Sequence, residues 1–267
     1  MNRKFLTSVL AAAGLFTVNA AQAAFVIGGV DFGTVGGHIE TTTVAETFVN
    51  GVGQHLQGYG VVNTVNGNNA YSLNGDKLYF TFDYTVTAFS AASASFDSGA
   101  IKIYKGANFN LLSQSSAANQ GIIGGYSEWV QFNGHANVNL ADLTAQLYSF
   151  GTLTGNSISF FGSGLADIDT SGTFGLASVA SALDTDSLTD LLGNTVDIAF
   201  TTSGNNSVLN THDVTTNCKN GRAKAGDWCV AGSADLRGAA LPEPGSLALA
   251  GLGLLGLVAA RRRKANI

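Results

Sequence analysis

KLYFTFDYTVTAF, residues Lys77 to Phe89, sets Leu78, Phe80, Phe82, Tyr84 and Val86 on one side of an extended chain. Tyr79, Thr81, Asp83, Thr85 and Thr87 fall on the other side. Side chains of a strand point alternately to opposite faces, so an apolar set interleaved with a mostly polar one predicts a half-buried antiparallel strand. Asn74-Gly75, just before it, is a tight-turn signal, because both residues tolerate positive φ. Asn66-Gly67 and Asn133-Gly134 carry the same signal.

Outward from this run the same logic repeats. AIKIYKG (100–106) alternates, with Ile101 and Ile103 on one face, and YSEWVQFNGHANV, SISFFGSG and TVDIAFTTSG are further short runs ended by turn residues. Helix is the minority reading. NLADLTAQLYSFG has Leu140, Leu143 and Leu147 at helical spacing and reads as one helix or a turn-rich connection. LASVASALDTDSLTDLLG allows a helical turn near residues 187–192. The expected fold is all-β: a single antiparallel β-sandwich, with a jelly roll as one form of it. No strict repeat points to a propeller or solenoid. Residues 24–240 form this body, and it contains no proline, which leaves Asn, Ser and Thr to protect strand edges against edge-to-edge pairing.

The formal net charge of −5 conceals an asymmetry: the body carries 17 acidic and seven basic residues, and the other six cations sit near the two ends. An acidic body repels phosphates, so nucleic acid is not an expected partner. The two cysteines, Cys218 and Cys229, read as a disulfide if the chain enters an oxidising compartment. The ring they would close, about a dozen residues, is worth about 2–3 kcal/mol by loop entropy. A metal site needs more ligands nearby, and only His212 offers itself.

No catalytic constellation stands out, and the chain reads as a non-enzyme without a cofactor. His38, His55, His135 and His212 are scattered, no G-x-S-x-G elbow occurs, and GVDFGTVGG lacks the G-K-[ST] ending of a phosphate loop. The most suggestive polar cluster is LADIDTSGTFG. Asp167, Asp169 and Ser171 alternate ahead of Gly172, as in the first half of a calcium loop, but the twelfth position is Ser178 and not a bidentate Glu. A strand entering a solvated Ser-Gly turn is the competing reading. Asp184, Asp186 and Asp190 form a second acidic group with the same two readings. Trp129, Trp228, Tyr59, Tyr71, Tyr104, Tyr126 and Tyr148 offer rings for sugar stacking if any share an exposed face. Trp129 reads as core, and Trp228 as packing over the disulfide loop.

Both ends read as targeting segments. Arg3 and Lys4, the apolar run Leu6 to Val18 and Ala21-Gln22-Ala23 make residues 1–23 a signal peptide cut after Ala23. At the other end LPEPGSLALAGLGLLGLVAARRRK (241–264) holds both prolines of the chain. Gly245 to Ala260 carries no charge, and a transmembrane helix is expected at about 246–260. Arg261, Arg262, Arg263 and Lys264 then form a basic stop-transfer tail by the positive-inside rule. The head differs from a sortase L-P-x-T-G signal in having Pro244 for threonine.

Pro242-Glu243-Pro244, a short Leu/Gly/Ala helix and an arginine cluster resemble the PEP-CTERM sorting signal, here covering residues 241–267. The resemblance implies an exosortase that recognises Pro242, Glu243 and Pro244 and cuts near them. It also implies a Gram-negative, exopolysaccharide-producing cell, a stage of inner-membrane anchoring, and delivery to the surface or biofilm matrix. The body carries no active site across from that family. A structural or adhesive role is expected, with exopolysaccharide as a possible partner. The alternative is a carbohydrate- or calcium-dependent binding module, which would show aromatic rings together on an exposed face.

Overall fold

The computed structural model describes residues 25–33, 37–213, 218 and 221–238. Its strands are β1 (Val26–Ile27), β2 (Val30–Asp31), β3 (Gly37–Glu46), β4 (His55–Val61), β5 (Thr64–Val65), β6 (Lys77–Phe89) and β7 (Ser93–Gly106). Helix α1 (Ser116–Gly124) precedes β8 (Ser127–His135), β9 (Leu147–Thr152) and β10 (Ser159–Ile168). Helix α2 (Ala177–Leu183), β11 (Leu188–Thr189), β12 (Thr195–Val196), β13 (Ile198–Asn205), a 3-10 turn (Thr211–Asp213) and β14 (Val230–Gly238) complete it.

The all-β expectation holds, but the sheet is a barrel and not a sandwich or jelly roll. Pairing runs β13–β14–β3–β4–β6–β7–β8–β10, and β10 returns to β13 along eight residue pairs, Ser159↔Asn205 to Ala166↔Ile198. Period-two alternation reports only that one face is buried. It is equally satisfied by two packed sheets and by one sheet closed on itself. Closure also removes the strand edges that the proline-free composition left to Asn, Ser and Thr to protect.

One of the eight positions is shared by two strands. β8 pairs with β7 at residues 100–105 and with β10 at 165–168, whereas β9 pairs with β7 at 93–96 and with β10 at 159–164. β8 and β9 therefore lie end to end between β7 and β10. The segment between them is the turn-rich connection, not a helix: Asn139 and Asp142 form a bridge, and Leu140 and Leu143 are exposed.

An eight-stranded barrel has an interior barely wide enough for its side chains. Leu78, Phe80, Tyr84 and Val86 of β6 point into it, as their alternation predicts. Room for the rings comes from inward glycines on the neighbouring strands. Gly58 and Gly60 of β4 face Phe82 and Phe80, and Gly164 and Gly204 face Phe200 and Phe160. A methyl group at any of the four would overlap the ring it faces.

The outer face of the barrel is not uniformly wet. Tyr59, Tyr79 and Tyr104 point outward, yet are buried with Leu111, Ile123 and Phe174 under α1 and the neighbouring loops. Ser115 caps α1 by accepting a hydrogen bond from the Ala118 amide. A polar seam fastens the loop at residues 210–213 to this helix. Tyr59 and Ser116 hydroxyls hydrogen-bond at 2.9 Å, Asn119 donates to the Tyr59 oxygen, and the Ser116 amide donates to Asp213. Burial pushes the Tyr59 phenol pKa up.

Turn signals fared unevenly. Asn66 and Gly67 both have positive φ, and Val65 and Asn68 exchange two backbone hydrogen bonds around them, which is a tight hairpin. Gly75 also has positive φ, but its turn leads into β6 without joining it to a paired strand. Asn133-Gly134 is no turn. It lies inside β8, where the missing side chain admits Gln146, whose oxygen accepts a hydrogen bond from Gly99. Residues 188–189 form a strand and not the helical turn allowed by the sequence; the helix in that run is α2, which ends at Leu183 before the strand begins.

Candidate functional site

The outer wall formed by β9, β10, β13, β14 and β3 carries two adjacent rows of outward side chains. In the first, Phe150 pairs with Phe161, Phe161 with Ser203, and Ser203 with Ser233. In the second, Tyr148 pairs with Ser163, then Thr201, Asp235, Glu40 and Thr64 follow in register. The first row crosses four strands and the second six chain segments, spread from residue 40 to residue 235, so only the closed ladder brings them together.

The rings form one end of this surface. Phe150 and Phe161 are 49% and 60% exposed, their centroids are 6.2 Å apart, and Tyr148 stacks 6.3 Å from Phe150. Beside them a groove of about 710 Å³ runs over Ser163, Thr201, Ser203 and Ser233 to Glu40 and Asp235. The Ser203 and Ser233 hydroxyls hydrogen-bond at 2.9 Å. A groove of this kind offers flat apolar rings, hydroxyls that donate or accept, and two carboxylates, with little hydrophobic enclosure.

The acidic end is organised. His38 Nε2 contacts Asp235, Arg237 donates to Asp235 at 2.9 Å, and Thr64 donates to Glu40. Partial burial raises the Asp235 pKa, but the hydrogen bonds from Arg237 and His38 outweigh it and hold the carboxyl below its ordinary value. His38, Glu40 and Asp235 place one nitrogen and two carboxylate oxygens within 4.8 Å of one another, a set able to hold a divalent ion in competition with Arg237.

The suggested calcium residues are drawn to different partners. Asp167 faces outward on β10 and bonds His135 Nδ1 at 2.7 Å. Asp169 lies past the strand, where it accepts from the Ser171 amide at 3.0 Å and holds the turn. The Ser171 hydroxyl bonds Thr173. Of the second acidic group, Asp184 and Asp186 meet Asp197 and not Asp190. Asp197 is already committed to the amides of Ile168, Thr185 and Asp186. Asp190 instead accepts from Asn137 and Asn194 and contacts His135 Nε2 at 3.1 Å. Burial raises the Asp190 pKa, yet these hydrogen bonds overcome it and the carboxyl stays well below its ordinary value.

Of the other residues singled out in the sequence, Cys218 and Cys229 are joined by a disulfide. Trp129 is core, stacked 6.3 Å from Phe32, and Trp228 meets Tyr59 edge to face at 5.4 Å. His55 and His212 are exposed. The sequence reading missed Phe150 and Phe161. The signal was in SISFFGSG: adjacent phenylalanines in a strand point to opposite faces, so one of Phe160 and Phe161 has to be outside.

The expected signal peptide (1–23), the helix expected at about 246–260, Pro242, Glu243, Pro244 and the tail Arg261, Arg262, Arg263 and Lys264 lie outside the described residues. Among the described residues no helix is long and apolar enough to cross a membrane. A model of the PEP-CTERM protein-sorting motif matches residues 240–264, which include the two prolines and the basic tail. No curated protein and no solved structure matches the chain.

Proposed function

We propose, from the PEP-CTERM protein-sorting motif that the chain carries, that it is an exported exosortase substrate whose barrel serves at the cell surface or in the biofilm matrix as an adhesive, non-catalytic module. Its partner in this reading is a neutral exopolysaccharide laid along the outer groove. The observation that carries it is the exposed Phe150–Phe161 pair beside a floor of serine and threonine hydroxyls. Pyranose rings present apolar C–H faces and hydroxyl edges, and this surface matches both. A single groove of this size gives modest affinity, and many copies on one polymer raise it through avidity. The suggested calcium residues Asp167, Asp169 and Ser171 lie off the two rows, whereas Glu40 and Asp235, which with His38 could hold a divalent ion, stand at the far end of the groove from the rings.

The test is a glycan array and pull-down with the intact chain and a Phe150→Ala/Phe161→Ala variant. Binding by the parent and its loss in the variant support the reading; binding that survives the double change, or none by the parent, sinks it. Sorting is tested separately. Changing Pro242, Glu243 and Pro244 to alanine should hold the chain in the inner membrane with its tail attached. Normal maturation of that variant would remove the exosortase from the account.

A further inference from the structure

Glu46, the last residue of β3, turns into the barrel and is 3% exposed. It borders two voids, of about 60 Å³ and 40 Å³, and so do Leu56, Ser149 and Phe160. The carboxyl receives no hydrogen bond there; burial alone acts on it. The larger void is also bordered by Tyr84, whose buried hydroxyl has no partner, and by Thr41 and Thr202. Thr47 borders the smaller one, and the remaining walls are aliphatic and aromatic. An unpartnered acid in such a place costs several kcal/mol relative to an apolar residue. Among the described residues the two linings contain no lysine, arginine or histidine, and Glu46 and Tyr84 are their only titratable groups.

We propose that the barrel interior is a binding site for a small primary alkylammonium ion, its nitrogen held by the Glu46 carboxylate and its alkyl chain by Leu56 and the surrounding rings. A carboxylate accepts hydrogen bonds and donates none, and the neighbouring hydroxyls can accept as well. A group with three N–H donors and a positive charge satisfies that set, whereas a carboxylate or phosphate ligand would be repelled. Size limits the chain. At about 10–15 Å³ of void per water-sized group the larger space, about 60 Å³, takes roughly four to six such groups, enough for butylamine and too few for a sugar.

The probes are n-butylamine and n-butanol, titrated into the intact chain at pH 8 and pH 5 with binding read by calorimetry. Burial pushes the Glu46 pKa up to about 7, so the residue is a carboxylate at the first pH and a neutral acid at the second. The expected result is that butylamine binds at least about tenfold more tightly than butanol at pH 8. That preference disappears at pH 5 and in Glu46→Gln. The comparison of two pH values uses the unaltered protein, so it stands even if the variant fails to fold. Equal affinity for the two probes at pH 8, no binding of the amine, or amine binding unchanged in Glu46→Gln overturns the proposal. In the second of these outcomes the voids hold water only.

Discussion

Gly58 of β4 lies directly across from Phe82 of β6, and the phenyl ring occupies the space where a Cβ at residue 58 would be. The pair is one of several of the same construction round the wall. It shows how a narrow barrel seats large rings: the volume one strand gives up, its neighbour fills.

Gly58→Ala is expected to destabilise the fold by about 1–3 kcal/mol, because an extra methyl in a packed interior forces ring or backbone to move. Gly121→Ala is the contrast. Gly121 is exposed in α1 with open space where the methyl would go, and alanine there should add about 0.5–1 kcal/mol through helix propensity. Chemical denaturation of the two variants tests both signs at once.

Glu46 predicts a stability that declines with rising pH. Its pKa is raised from 4.5 to about 7 in the folded barrel, so between those values the unfolded chain has lost a proton that the folded one keeps. Stability from this group is therefore highest below about pH 4.5 and falls as pH rises to about 7, by roughly 3 kcal/mol in total. In Glu46→Gln this contribution should vanish, leaving the part of the slope that His135 supplies. An unchanged slope in denaturation curves taken between pH 4.5 and 8 would contradict the burial of an unpaired acid.

His135 is a second, separate source of pH dependence. Burial lowers its pKa, but hydrogen bonds and charge from Asp167 and Asp190 exceed that effect and leave it above its ordinary value. The stabilisation from this pairing is complete below the unfolded value and is lost as pH rises through the folded one. An NMR titration should place the His135 midpoint above that of a free histidine, and Asp190→Asn should bring it down.

The disulfide between Cys218 and Cys229 packs with Phe48, Ile158 and Val230 at the start of β14. Reduction should cost about 2–3 kcal/mol by loop entropy. It should also change the fluorescence of Trp228, which rests on Tyr59 one residue away from Cys229. A melting temperature insensitive to reductant would show that the link constrains little.

Local pattern carried much of this molecule. The inward set of β6, the Asn66-Gly67 hairpin and the core position of Trp129 each follow from a residue's own chemistry and its immediate neighbours. Asn133-Gly134 misled for the opposite reason. The dipeptide is a turn former in isolation, but here Gly134 is needed inside a strand so that Gln146 can pass close to it. Helix α1 was illegible because a short run such as SAANQGIIG has little periodicity; its stability comes from the Tyr59, Asn119 and Asp213 contacts.

By itself the sequence determined the strand content, the buried face of the central strand, the two cysteines able to pair, and the sorting motif at residues 240–264. Those are properties of alternation, composition and contiguous words. Only the tertiary structure decided that the sheet closes, because alternation is identical in a sandwich and a barrel. It alone set Phe150 beside Phe161 and Ser203, sealed Glu46 inside, and parted Asp167 from Asp169. Register between strands is fixed by the summed packing of every inward residue in the ring, and no single stretch of chain contains that sum.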